Sequence, residues 1–170
     1  MQTTLRIGDK VVYPAHGVGE VTAIERREIS GFDQTFYVLS IMNTGMTVLV
    51  PTNNARSTGM REVIDASQVN SVFRTLRRKA SKMPKVTWNR KQREYTEKIK
   101  AGSIHGVAEV FRELSLIGAN KELSFSERKL LDTVRGLLVT EIACAKACPA
   151  EEVQLKMDAI FAKYRSAEAA

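Results

Sequence analysis

The sequence predicts an α+β protein, with a small N-terminal β-barrel of the SH3 or Tudor kind followed by a C-terminal all-α bundle of about five helices. Apolar residues alternate with a period of two up to about residue 65 and recur with a period of about 3.6 afterwards. Turns that contain glycine separate the short apolar runs of the first part. The chain has 170 residues, enough for two small domains, so we assign residues 1–65 to the barrel and residues 66–170 to the bundle.

The first strands are predicted from apolar runs between turns. Gly8 opens a turn, and the run that follows ends at Pro14, because proline cannot donate a hydrogen bond to a strand ladder. Residues 20–29 continue as a long strand, and their alternation slips between Ala23 and Ile24. This slip indicates a β-bulge.

The last two strands are predicted to form a hairpin. Residues 36–42 are nearly all apolar, residues 43–45 form a turn, and residues 46–51 return. Alternation predicts a core-facing set, Met46, Val48 and Val50, and an outward set, Thr47 and Leu49. An outward Leu49 beside an open sheet edge suits β-augmentation by a partner's strand. Burial of Leu49 under the rest of this chain is an equally good interpretation.

Helix starts mark the second part of the chain. Ser67 is the predicted N-cap of a helix with apolar residues at i, i+3, i+4 and i+7 from Val69, and Thr87 is the predicted N-cap of the next. Ser124 and Glu127 have the spacing of a capping box at the start of a long helix.

Positive charge is concentrated in residues 74–100, which carry eleven basic and two acidic side chains, whereas the whole chain is only +7. Trp88, the only tryptophan, lies in the middle of this segment, in the first turn of a predicted helix. A cationic segment with one large flat side chain favours nucleic acid as a partner. The alternative is a solvated helix face with Trp88, Tyr95 and Ile99 as a buried stripe.

Other functional classes find little support. The sequence contains no phosphate-binding glycine loop and no nucleophile elbow, and His16 and His105 stand far from the only cysteines, Cys144 and Cys148. We therefore expect no enzymatic activity, no cofactor and no metal site. The chain has no apolar run long enough to span a membrane, so we expect a cytoplasmic protein.

Several motifs in order resemble the CarD/CdnL/TRCF family, and most closely its stand-alone CdnL-like members. The β part resembles the RNA-polymerase-interacting domain of that family, and the helical part resembles the helical domain of the stand-alone members. The motifs are residues 5–14 with Gly17 and Gly19, then residues 36–39, 46–51, 59–64, 88–91, 93–95, 108–114 and 123–131.

The resemblance implies a bacterial transcription regulator that is held on the nucleoid by RNA polymerase. Nothing in the sequence demands an oligomer, so we expect a monomer. Its helical domain would reach promoter DNA at the upstream edge of the transcription bubble, including ribosomal RNA promoters. Trp88 would enter the minor groove there, and basic side chains would hold the DNA backbone. These basic residues are Arg90, Lys91 and Arg93. Lys85 and Lys82 are further candidates for DNA binding, because the predicted loop before the helix places them beside Trp88.

The resemblance also implies that the barrel binds the β subunit of RNA polymerase. The expected contact residues are Arg27, Ile29, Thr47, Leu49 and Pro51. Some relatives carry arginine where this chain has Leu49, so an apolar or main-chain contact is expected at that position. The competing hypothesis is a non-specific architectural DNA-binding protein whose β domain mediates dimerisation or RNA binding.

Overall fold

A computed structural model describes residues 4–79 and 86–166 of the chain. These residues form two compact units that divide between Val63 and Ile64. Five strands lie in the first unit and five helices in the second, which confirms the predicted α+β class and the order of its parts.

The element bounds are as follows. The strands are β1 (Lys10–Tyr13), β2 (Gly17–Ile29), β3 (Phe32–Ile41), β4 (Thr47–Pro51) and β5 (Arg61–Glu62). The helices are α1 (Ala66–Leu76), α2 (Trp88–Lys100), α3 (Ile104–Asn120), α4 (Phe125–Lys146) and α5 (Ala150–Ser166).

The strands form one antiparallel sheet in the order β4-β3-β2-β1-β5. The register of β2 against β3 shifts between Val21 and Ala23, so the bulge lies at Thr22, slightly before the predicted position. One face of the sheet covers the core of this unit. The core residues are Leu5, Val11, Val21, Tyr37, Leu39 and Val50.

Strand β4 begins later than predicted. Val50 is buried and Val48 packs against the core, but Met46 is exposed, so its predicted inward direction was wrong. Met46 still belongs to the turn, where its backbone N–H donates to Thr44 Oγ1 at 3.2 Å. The alternation that fixes side-chain direction in a strand therefore applies only from Thr47 onwards.

Helix α1 is capped by Asp65, and the predicted N-cap Ser67 was wrong. Asp65 Oδ1 accepts from the backbone N–H of Gln68 at 2.9 Å, and Gln68 Oε1 accepts from the backbone N–H of Asp65 at 3.0 Å. This reciprocal pair is a capping box. Ser67 instead donates its hydroxyl to Asp65 Oδ1 at 2.6 Å, and this bond lowers the pKa of the Asp65 carboxyl.

The two ends of α4 are closed differently. Ser124 and Glu127 form the predicted capping box at its start. At its end, Ala147 has the left-handed conformation, with φ 50° and ψ 47°. The backbone N–H of Cys148 donates to Ala143 O at 3.1 Å, as in a Schellman motif. This motif usually places glycine at the left-handed position, which is alanine here.

The helical unit has one apolar core to which all five helices contribute. Its fully buried large side chains are Leu76, Tyr95, Phe111, Leu114, Leu138, Ile142 and Met157. The buried carboxylate of Glu141 accepts a hydrogen bond from the backbone N–H of Ile64 at 3.1 Å. This bond fixes the first residue of the unit against α4.

Candidate functional site

The expected polymerase-contact residues share one face of the sheet. Residues that pair directly in an antiparallel sheet have their side chains on the same side. Leu49 pairs with Val38, and Val38 pairs with Ala23. Alternate residues of one strand also share a face. The sheet face that carries Leu49 therefore also carries Thr47 and Pro51 of β4 and Arg27 and Ile29 of β2. We call this surface the outward sheet face.

The outward sheet face is accessible and mostly apolar. Leu49 is 38% exposed and Ile29 is 48% exposed, so neither residue is buried in the core of the sheet unit. Arg27 provides positive charge, although its guanidinium donates to Glu25 Oε2 at 2.8 Å. Because this ion pair is exposed, it constrains the arginine only weakly.

Phe32 also belongs to the outward sheet face, and the sequence analysis missed it. Phe32 pairs directly with Ile29 at the end of the β2–β3 hairpin and is 77% exposed. Ser30 and Gly31 connect the two strands with φ of 53° and 81°, as a two-residue type I′ turn requires. This turn fixes Ile29 and Phe32 side by side at the hairpin tip.

Strand β4 provides a main-chain contact surface as well. Among the described strands it pairs only with β3, so it is an edge of the sheet. An edge strand presents backbone donors and acceptors that a partner's strand can bind. Leu49 lies on this edge strand, so apolar and main-chain contacts are both available to a partner there.

The helical unit places Trp88 at the start of α2. Thr87 occupies the N-cap position, as predicted, although its side chain makes no capping hydrogen bond. Trp88 is half-buried and packs against the helical core, with its ring centroid 6.3 Å from that of Tyr95. Tyr95 and Ile99 are buried. The structure therefore combines both interpretations of Trp88, since the indole rests on a buried stripe and part of it remains accessible.

The basic residues around Trp88 differ in their accessibility. Arg90 is 74% exposed and lies 3.8 Å from Glu94, and Arg93 is also exposed. Both guanidinium groups are therefore accessible to solvent. The predicted Lys82 and Lys85 lie outside the described residues.

Lys91 points towards the protein interior. Its side chain is only 18% exposed, with Nζ 3.8 Å from Glu113 Oε2 and 3.8 Å from Glu94 Oε2. The same ammonium lies over the Tyr95 ring at 5.7 Å. Helical spacing could not identify this contact, because Glu113 belongs to another helix.

A buried polar pair accompanies Lys91. The Tyr95 hydroxyl and Glu113 Oε2 are buried and make no hydrogen bond with the described residues. Burial is the main cause that raises the pKa of Tyr95, and the nearby Glu113 carboxylate raises this pKa further. Tyr95 is therefore neutral at all physiological pH values.

The described residues contain no group of three or more histidine, cysteine, aspartate or glutamate side chains that could hold a metal ion. Cys144 and Cys148 are free and partly exposed near the end of α4. Across residues 4–79 and 86–166, none of the helices has the length and apolar character needed to cross a membrane.

Family models match both units of the chain. The CarD-like/TRCF RID domain matches residues 5–64, and the CarD C-terminal domain matches residues 71–158. The chain belongs to the CarD/CdnL family. This is a family of transcription factors that interact with RNA polymerase. The predicted resemblance is confirmed.

One relative supports this assignment over most of both chains. The chain is 32% identical over 149 residues to a Bacillus subtilis protein named "Putative transcription factor YdeB", covering 88% of this chain and 97% of the relative. Two solved N-terminal domains from Myxococcus xanthus are also similar. The CdnL domain is 52% identical, covers 38% of this chain and 90% of its own, and has a TM-score of 0.32. The 72-residue CarD domain is 37% identical, covers 35% of this chain and 79% of its own, and has a TM-score of 0.31.

Proposed function

We propose that this CarD/CdnL protein docks on the β subunit of RNA polymerase through its outward sheet face and stabilises the promoter open complex with Trp88. The observation that supports this most directly is the position of the only tryptophan. Trp88 lies at the start of a helix and is half-buried against the apolar core of the helical unit. The exposed guanidinium groups of Arg90 and Arg93 lie on the same helix.

An accessible indole interacts best with DNA whose bases are already partly unstacked. Aromatic and aliphatic side chains that enter the minor groove bind at the cost of unstacking a base step. At the upstream edge of a transcription bubble the bases are already partly unstacked, so less free energy is needed to insert a side chain there. Trp88 would therefore bind the open state more strongly than the closed state, and only such a difference can shift the equilibrium between them.

The basic side chains would supply affinity without reading sequence. Contacts of arginine and lysine with phosphates position a protein on DNA but distinguish bases poorly. Arg90 and Arg93 are the described candidates, and Lys82 and Lys85 remain predictions. The protein would therefore act at many promoters, among them those of ribosomal RNA, and would stay on the nucleoid through RNA polymerase.

The decisive experiment measures the half-life of open complexes of the cognate RNA polymerase on a ribosomal RNA promoter after competitor challenge. A preference for the open state of about 1 to 3 kcal/mol would lengthen the half-life about 5- to 150-fold. Trp88→Ala should return it to the value without the protein and retain binding to polymerase. Trp88→Phe keeps a flat apolar ring and should retain part of the effect.

Two outcomes would contradict the proposal. A wild-type half-life with Trp88→Ala would exclude the tryptophan from the mechanism. No effect on half-life, together with strong binding of the protein to free duplex DNA, would favour the architectural alternative.

A further inference from the structure

Three successive contacts connect Trp88 on α2 with Glu113 on α3. The Trp88 ring contacts Tyr95, the Lys91 ammonium lies over the Tyr95 ring, and Lys91 Nζ lies 3.8 Å from Glu113 Oε2. Trp88 therefore packs on Tyr95, Tyr95 lies under Lys91, and Lys91 pairs with Glu113. A change at Glu113 can therefore reach Trp88 without any direct contact between them.

Lys91 is poorly suited to bind a DNA phosphate. Its charge is already compensated by the carboxylates of Glu113 and Glu94, and its side chain is 18% exposed, compared with 74% for Arg90. Moving Lys91 out to a phosphate would leave the largely buried Glu113 carboxylate without its countercharge. An unpaired buried charge is strongly unfavourable.

The Tyr95 ring, by contrast, depends on this ion pair. The hydroxyl of Tyr95 makes no hydrogen bond shorter than 3.5 Å with the described residues, but burial and the neighbouring Glu113 carboxylate raise its pKa, so Glu113 faces the ring directly as well as through Lys91. Packing in the core and the ammonium over its face also hold the ring. A cation over an aromatic face is attracted by the ring quadrupole, and partial burial strengthens the attraction.

We propose that Glu113 is a positioning residue that, through Lys91 and Tyr95, fixes Trp88 in the orientation that enters the minor groove. Lys91 then serves the tryptophan and is not a phosphate contact. This inference rests on the proposed function for its effect on DNA, but its effect on Trp88 belongs to the free protein. The proposed function and the positioning of Trp88 by Glu113 can therefore be refuted separately.

The main test is Glu113→Gln, which removes the charge and keeps the shape of the side chain. Tryptophan fluorescence reports Trp88 alone, because the chain has no other tryptophan. In the free protein, Glu113→Gln should shift the Trp88 emission to longer wavelength and increase its quenching by acrylamide. At saturating protein, the extension of open-complex half-life should be largely lost.

Glu109→Gln is the matched control. Glu109 also lies on α3 and also pairs with a lysine of α2, accepting from Lys98 Nζ at 2.9 Å. It has no contact with Trp88 or Tyr95 among those that the structure shows. Glu109→Gln should leave the Trp88 emission, its quenching and the open-complex half-life as in the wild type.

The salt dependence of DNA binding separates positioning from phosphate contact. Removing one phosphate contact reduces the slope of log affinity against log salt by about 1. Arg90→Ala should show this reduction, and Lys91→Met should not. Lys91→Arg keeps the ion pair and should restore the fluorescence and the half-life that Lys91→Met loses.

If Glu113→Gln fails to fold, the double variant Lys91→Met with Glu113→Gln replaces it, because it leaves no unpaired charge. It should show the same emission shift. Wild-type emission and quenching in a folded Glu113→Gln or double variant would overturn the inference, and so would a reduced salt slope in Lys91→Met. If Trp88→Ala leaves the half-life unchanged, the proposed function fails, but the fluorescence of the free protein still decides whether Glu113 positions Trp88.

Discussion

In the sheet unit, the backbone positions the candidate docking residues, whereas in the helical unit, side chains position the candidate DNA-contacting residue. Strand register and a two-residue turn place Ile29, Phe32 and Leu49 on one face. Trp88 instead packs against the Tyr95 ring, and the Lys91 ammonium lies over that ring. A substitution on the outward sheet face should therefore remove one contact and leave its neighbours in place. A substitution beneath Trp88 should move the tryptophan itself.

The same difference predicts two kinds of defect in the half-life assay. Under the proposed function, docking would determine how much protein is bound to polymerase at a given concentration. The preference of Trp88 for open DNA would determine how much each bound protein lengthens the half-life. Docking variants should therefore raise the protein concentration needed for a half-maximal effect, and variants around Trp88 should lower the maximal effect.

Phe32→Ser should give the largest docking defect. We expect Phe32 to be a hot spot of the interface, and truncation of a hot-spot side chain costs about 2 kcal/mol or more. The concentration for a half-maximal effect should therefore rise about 30-fold, with an unchanged maximum. The measurement is a titration of the half-life with the variant protein.

Phe125→Ser is the control, because Phe125 has the same 77% exposure but lies at the start of α4 in the helical unit. It should leave both quantities unchanged. A lower maximum with Phe32→Ser would break the comparison, since the sheet would then influence the DNA contact itself.

Some of this arrangement can be predicted from sequence because it depends on local spacing. The alternation from Thr47 to Pro51 predicted an outward Leu49, and the spacing of Ser124 and Glu127 predicted the capping box. Phe32 was missed because the polar residues 33–35 interrupt the apolar pattern of its strand. Its place on the outward sheet face follows from its pairing with Ile29 across the turn.

The contact between Lys91 and Glu113 could not be predicted in the same way. Both residues look like ordinary solvated charges on their own helices. Their proximity depends on how α2 packs against α3, which periodicity within one helix does not determine. The charge count of residues 74–100 therefore does not distinguish Lys91, whose ammonium lies near Glu113, from Arg90, which is exposed.

Arg27→Ala should give a smaller docking defect than Phe32→Ser. Exposed ion pairs contribute at most about 1 kcal/mol, so the half-maximal concentration should rise up to about fivefold. The defect should shrink at high salt, because exposed charges are screened. The measurement is the affinity for RNA polymerase at two salt concentrations.

Arg26→Ala is the control for this prediction. Arg26 is the preceding residue of β2, is exposed, forms an ion pair with Asp33, and lies on the opposite face of the strand. Its substitution should leave docking unchanged. Equal defects in the two variants would mean that total positive charge matters and that the outward sheet face has no special role.

Ala147→Gly should give the smallest effect and tests whether the two units behave independently. The left-handed conformation costs an L-residue about 1 to 2 kcal/mol, but glycine also gains freedom in the unfolded chain. The net stabilisation should be about 0.5 to 1 kcal/mol. Urea unfolding followed by Trp88 fluorescence reports the helical unit, and its midpoint should rise while the open-complex half-life stays the same.

Ser30→Gly supplies the matched change in the sheet unit, because Ser30 also has a positive φ, of 53°. Relief of that strain should stabilise the sheet without moving the midpoint that Trp88 reports. If both substitutions raise this midpoint equally, the units unfold as one cooperative structure. Changes on the outward sheet face would then also alter the stability of the core that supports Trp88, and a docking variant could no longer be interpreted from its half-maximal concentration alone.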